Sequence, residues 1–79
     1  MRLRRGMVVL VEFLDHCEGG SRPIACRAYG KLVDVDRRHL TVCPWETLAE
    51  DSATRRLNDE RYVIVRSAVS RVAVLAESE

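Results

Sequence analysis

The chain has 79 residues, of which 47% are hydrophobic and only 5% aromatic, and 13 basic and 12 acidic residues leave a formal charge of +1. This length excludes more than one domain, and the near-neutral charge excludes a strong overall positive field that would drive nucleic-acid binding. No segment approaches the roughly 20 apolar residues of a membrane helix, and the N-terminus lacks a secretory signal. We therefore expect one soluble, cytoplasmic domain over residues 1–79, with three reduced cysteines and subunits that associate.

The N-terminal stretch, residues 1–6, is a basic arm of sequence MRLRRG that is too short for a stable helix on its own. It is either a frayed, solvated terminus or an arm that contacts phosphate. A strand is predicted over Met7–Leu14, where apolar residues occupy both faces. Such a strand is usually covered on both sides, either inside a barrel wall or at a subunit contact.

The middle of the chain reads as a bent hairpin. Residues 15–23 have turn composition, and a long second strand follows over Ile24–Val35. Gly30 lies inside this strand, where a missing Cβ indicates a bend, a bulge or a close backbone approach. A charged turn at residues 36–38 leads into a third strand, His39–Trp45, which the proline within it should end or place at an edge.

The last part of the chain begins with a polar variable loop, residues 46–60. A fourth strand is predicted over Arg61–Val65, and Arg66–Ala68 lacks the glycine or asparagine of tight hairpin turns, which favours one 3₁₀ turn. A fifth strand, Val69–Leu75, precedes a solvated tail at residues 76–79. The fold prediction is all-β: a small, strongly bent five-stranded barrel without a well-formed N-terminal helix.

Two stretches resemble the motifs of the Sm-like (LSm-type) family. Gly30-Lys31-Leu32, followed by Asp36 and Leu40-Thr41-Val42, resembles the first Sm motif, and Val65-Arg66-Ser67-Ala68-Val69 with Val72 is similar to the second. The runs VEFLDH and VRSAVSRVAVL are also similar to small Sm-like proteins of tailed phages and their hosts. The resemblance implies a five-stranded Sm barrel whose fourth and fifth strands pair with neighbouring subunits. The resulting homo-oligomeric ring would bind single-stranded, uridine-rich RNA at its pore.

The resemblance also implies which residues would act. Arg66 matches the arginine of the second motif, whereas Arg37, Arg38 and His39 are carried over only as loop neighbours. The asparagine that reads the base in the first motif is absent, and His39 lies nearest to its place. Five valines would form the seam between subunits: Val63, Val65, Val69, Val72 and Val74.

The residues alone leave the function of this turn open. Arg37 and Arg38 are RNA contacts on one interpretation, presenting guanidinium groups to bases or phosphates. On the other interpretation they form a solvated turn paired with Asp34 or Asp36, which contributes little to stability. The alternative function is a scaffold or protein-interaction module of the same fold without nucleic-acid binding, and the missing asparagine and neutral overall charge favour it.

Catalytic and metal sites have little support in the sequence. His16, Cys17, His39 and Cys43 are zinc-ligand types, but their spacing lacks a paired CxxC or HxxxH element. Burial of small thiols is the simpler interpretation. Asp15, His16 and Cys17 contain the groups that activate a thiol, although sequence neighbours are seldom aligned for proton transfer. We therefore expect no enzyme activity, no metal and no cofactor.

Overall fold

The computed structural model describes residues 2–15, 22–45 and 60–77. These residues form one antiparallel sheet of five strands, which confirms the all-β prediction. The strands are β1 (Val8–Asp15), β2 (Ile24–Val35), β3 (His39–Cys43), β4 (Tyr62–Val65) and β5 (Val69–Ala76). One 3₁₀ turn over Arg66–Ala68 joins β4 to β5, as predicted. Except for Glu60, the predicted variable loop lies outside the described residues.

The strand ends differ by one or two residues from the prediction. β3 ends at Cys43 and not at Trp45, because Pro44 has no N–H group to continue the ladder. β5 continues one residue into the predicted tail, because Ala76 still pairs with Val8 of β1. These shifts leave the order and number of strands unchanged.

Strand β2 connects the two halves of the sheet. The strand order is β4-β3-β2-β1-β5, and β2 pairs with β1 from Ile24 to Lys31 and with β3 from Lys31 to Val35. Gly30 has a φ of +154°, and a Cβ there would lie 2.5 Å from the carbonyl oxygen of Cys43. Glycine is therefore required where β2 passes closely over the end of β3. This is the bend that the sequence indicates.

The core lies on one face of the bent sheet. Its fully buried side chains come from β1, β2 and β3 and are Val9, Val11, Leu32, Leu40 and Val42. The other face of β1 is half-buried at Val8 and Leu10 and exposed at Leu14. Within the protomer, therefore, only one face of β1 is fully covered. The described part of the chain has no helix with the length and apolar character of a membrane span.

The N-terminal arm is held against the sheet. The Gly6 N–H donates to the carbonyl oxygen of Leu32 at 2.8 Å, and the Leu32 N–H donates to the carbonyl oxygen of Met7 at 2.8 Å. The Arg4 guanidinium lies 3.0 Å from the Glu77 carboxylate, next to the end of β5. These backbone bonds extend the pairing of β2 to Gly6 and Met7. Whether the arginines of the arm contact phosphate stays a prediction.

An ion-pair triad crosses three strands on the outer face. Glu12 of β1 lies opposite Arg27 of β2 and Arg71 of β5. Its carboxylate accepts from Arg71 Nη1 at 2.8 Å and from Arg27 Nη2 at 2.8 Å. These two guanidinium groups, Arg71 first, lower the pKa of Glu12 below its ordinary value of 4.5. The triad links β2, β1 and the end strand β5.

Candidate functional site

The turn between β2 and β3 and the 3₁₀ turn after β4 meet at a cleft of about 330 Å³. We call it the arginine cleft. Its walls are Arg37, Arg38, His39, Val65, Arg66 and Ser67. All four residues that the sequence predicts as RNA contacts therefore line one cleft. The register of β3 with β4 brings them together, because His39 at the start of β3 lies opposite Val65 at the end of β4.

Asp36 organises the turn that carries two of these arginines. Its Oδ1 atom accepts hydrogen bonds from the backbone N–H groups of Arg38 and His39, both at 2.7 Å. The Asp36 N–H donates in turn to the carbonyl oxygen of His39 at 3.0 Å. The bonds from Arg38 and His39 lower the pKa of Asp36, because they favour the ionised carboxylate. The Asp36 carboxylate thus accepts hydrogen bonds from the backbone of its own turn.

Arg66 is fixed to the same turn by two hydrogen bonds. Its backbone N–H donates to the carbonyl oxygen of Arg38 at 2.7 Å. Its guanidinium Nη1 donates to the carbonyl oxygen of Asp36 at 2.8 Å, although the two residues are 30 positions apart in the sequence. A guanidinium has five N–H donors, so several remain for a ligand. Arg66 is therefore both part of the cleft and a link between its two turns.

The side chains of Arg37 and Arg38 do not form the ion pairs that the solvated-turn interpretation expects. Asp34 Oδ1 accepts instead from the backbone N–H of Val35 at 3.0 Å. Within the described part of the chain, neither guanidinium has a salt-bridge partner. Among the described residues, the walls of the arginine cleft carry three guanidinium groups and no carboxylate, and the nearby Asp36 carboxylate lies 3.4 Å from the His39 ring. This local charge contrasts with the formal charge of +1 for the whole chain.

His39 occupies the place nearest to the missing base-reading asparagine. Its Nδ1 atom lies 3.4 Å from Asp36 Oδ1, and its side chain is 42% exposed. One ring nitrogen thus faces the carboxylate that organises the turn. The imidazole is held at the cleft wall but has only one further nitrogen to offer to a ligand.

The two end strands of the sheet, β4 and β5, each have one side without a neighbouring strand among the described residues. Val63 is 64% exposed and Val65 is 49% exposed, so the β4 part of the predicted seam is open to solvent. The β5 part is different, because its valines pack against the core of the same protomer; they are Val69, Val72 and Val74. These three side chains are half-buried, so less of their surface is open to solvent than at Val63 and Val65.

A second, larger cleft lies at the opposite end of β3 and β4, with a volume of about 810 Å³. All four aromatic residues of the chain line it: Phe13, Tyr29, Trp45 and Tyr62. We call it the aromatic cleft. Three of its rings are about half exposed, and its charged residues balance, with two arginines and two carboxylates at Arg27, Arg61, Asp15 and Glu60. The Tyr62 hydroxyl donates to Glu60 at 3.1 Å, which raises the pKa of Tyr62.

The cysteines in the described residues are free thiols. Cys43 is buried and its Sγ donates to the carbonyl oxygen of Trp45 at 2.8 Å, whereas Cys26 is half-buried. No group of three potential metal ligands occurs in the ranges that the structure describes. His16 and Cys17 lie outside those ranges, so the zinc and thiol hypotheses for them stay untested.

Two features of the surface were not predicted from the sequence. The role of Asp36 as the acceptor that orders the turn has a local signal, because aspartate often bonds backbone N–H groups a few residues further on. The aromatic cleft has no local signal, because its rings come from four separate segments.

Comparisons of the chain with protein-family models, with curated proteins and with solved structures find no match.

Proposed function

We propose that this chain is an Sm-like protein that assembles into a homo-oligomeric ring and binds single-stranded RNA weakly through the arginine cleft. The observation that carries the proposal is the convergence of Arg37, Arg38 and Arg66 on one cleft, where no carboxylate is among the described wall residues. Phosphate oxygens are the natural partners of such guanidinium groups. The proposal assigns no catalytic role to the cleft.

The open strand edges support the ring. If β4 of one protomer pairs with β5 of the next, each backbone edge gains hydrogen-bond partners and Val63 and Val65 are covered. Exposed edges of this kind otherwise invite uncontrolled association, and head-to-tail pairing satisfies them in a closed assembly when the rotation closes. A ring also repeats the arginine cleft once per subunit.

The weak affinity of one cleft follows from its chemistry. Arg37 and Arg38 are solvent-exposed, so ordering them on a ligand costs side-chain entropy, and salt screens their charge. Repetition around a ring raises the effective concentration for a strand that is already bound to one subunit. We therefore expect measurable binding at low salt and a steep loss as salt rises.

The test replaces the two arginines whose side chains have no salt-bridge partner among the described residues. In Arg37→Gln/Arg38→Gln we expect weaker oligouridine binding, and a log-log salt slope smaller by about 1.4, from ~0.7 per lost phosphate contact. The matched control is Arg22→Gln/Arg61→Gln, which removes the same charge from exposed positions outside the cleft. Equal affinity and slope in the first variant and the wild type would rule out RNA contact at this cleft.

The second candidate is a homo-oligomeric scaffold or protein-interaction module with the same fold. The aromatic cleft favours it, because half-exposed Tyr29, Trp45 and Tyr62 offer large apolar contact area without a net charge that would select nucleic acid. Native mass spectrometry at low ionic strength, with and without oligouridine, separates the two candidates. A ring that carries oligonucleotide supports RNA binding, whereas a ring that stays bare supports the scaffold.

A further inference from the structure

We propose that the arginine cleft recognises the phosphodiester backbone and not the base or the sugar, so that single-stranded DNA binds as well as RNA of the same length. This inference rests on the proposed function and defines its ligand class. Its starting point is the balance of donors and acceptors on the cleft walls.

The cleft walls contain almost only hydrogen-bond donors. Three of its six residues are arginines, whose guanidinium groups donate and never accept, and Val65 contributes no polar side-chain atom. The hydroxyl of Ser67 and one ring nitrogen of His39 are the side-chain acceptors that the walls provide. No asparagine, glutamine or carboxylate occurs among the wall residues that the structure describes. A phosphodiester has acceptor oxygens and no donors, so its chemistry matches these walls.

A base makes a poorer match. Uracil and guanine each carry a ring N–H that must find an acceptor, and burial without one costs roughly 1–3 kcal/mol. Arginine reads guanine with two parallel N–H groups, but the Nη1 of Arg66 is already bonded to the carbonyl oxygen of Asp36. His39 is the single ring in the cleft, and one of its nitrogens faces Asp36. The cleft therefore offers few side-chain groups that could recognise a specific base edge.

The sugar is not discriminated for a related reason. A protein distinguishes RNA from DNA by placing a partner at the 2′-hydroxyl, which both donates and accepts. The exposed Arg37 and Arg38 side chains are not held by ion pairs within the described part of the chain, so they can follow phosphates on either sugar. The expected behaviour is polyelectrolyte binding, in which affinity depends on salt and length.

The experiment measures binding of the full chain to labelled oligouridine, oligoadenosine, oligo-dT and oligo-dA of one length, about 15 nucleotides, by fluorescence anisotropy. We expect the four dissociation constants to agree within about threefold and to share one salt slope. If oligouridine binds about tenfold more tightly than both oligoadenosine and oligo-dT, backbone recognition is overturned while the proposed RNA binding stands. If none of the four binds at low salt, both proposals fail.

Two variants make the test sharper. Arg37→Lys/Arg38→Lys keeps the charge and loses the planar fork, so any loss of affinity should be the same for RNA and DNA and for each base. His39→Ala removes the only ring in the cleft, and we expect the RNA-to-DNA affinity ratio to stay unchanged. A loss confined to RNA, or to one base, in either variant would contradict backbone recognition. Circular dichroism and native mass spectrometry of each variant establish that fold and assembly are intact.

Discussion

Replacing Gly30 by alanine tests the bend on which the fold depends. A Cβ at this position would lie 2.5 Å from the Cys43 carbonyl oxygen and 2.8 Å from the Pro44 Cα atom. Both are backbone atoms of the end of β3, so no side-chain rotation relieves the contact. The φ of +154° is also one that residues with a side chain rarely adopt. Alanine must therefore displace the strand and change the bend.

The magnitude follows from these two effects. A strained backbone conformation costs about 1–3 kcal/mol, and overpacking costs a further 1–3 kcal/mol or so. The free energy of unfolding should fall by about 2–6 kcal/mol, against a total near 8 kcal/mol for a domain of this size at ~0.1 kcal/mol per residue. With a urea m-value of about 1 kcal/mol/M, the unfolding midpoint should decrease by about 2 M or more.

The assay is urea unfolding followed by the fluorescence of Trp45, the only tryptophan, which directly follows Pro44. The protomer concentration must be fixed, because association adds to apparent stability. Ala25→Val is the control: it adds side-chain volume at an exposed position of the same strand and should change the free energy by less than about 0.5 kcal/mol. A Gly30→Ala midpoint within about 0.5 M of the wild type would refute the close-approach argument.

Two further predictions concern the ionised groups. Asp36→Ala should weaken oligonucleotide binding although it removes a negative charge, because the backbone N–H groups of Arg38 and His39 lose the acceptor that orders the turn. Asp36→Asn keeps an acceptor and should bind at least as tightly as the wild type. A stronger affinity for Asp36→Ala than for Asp36→Asn would contradict the positioning role. The depressed pKa of Glu12 contributes stability that is present above its ordinary value of 4.5 and is lost as pH falls through the folded pKa. The urea midpoint of the wild type should therefore fall more steeply below about pH 4.5 than that of Glu12→Gln, and parallel pH profiles would count against the triad.

The sequence predicts much of this fold because its signals are local. Alternating apolar residues, the glycine within β2 and the absence of hairpin-turn residues at Arg66–Ala68 are each readable within a short window. The N-terminal arm was predicted less well, because its order comes from Gly6 and Met7 bonding to Leu32, far along the chain. Short segments without periodicity carry no signal for such pairing.

The sequence likewise predicted one part of the candidate site and not the other. Arg37, Arg38 and His39 are neighbours in the chain, and the resemblance at Arg66 suggested that they belong together. The sequence allowed Asp34 or Asp36 as partners of the two arginines, and it does not show that Asp36 bonds the backbone and that neither arginine has an ion pair within the described ranges. The choice between a solvated turn and an open cationic cleft depends on hydrogen-bond geometry.

By itself, the sequence determined the number of strands and their succession along the chain, the position of the special glycine in β2 and the residues of the basic turn. Periodicity, glycine and charge are local signals, so these features can be recognised within short stretches of the sequence. Only the tertiary structure decided which charges remain unpaired and that every aromatic ring meets at one cleft. Those properties arise from contacts between distant segments, and the register of the strands, which no single segment contains, selects them.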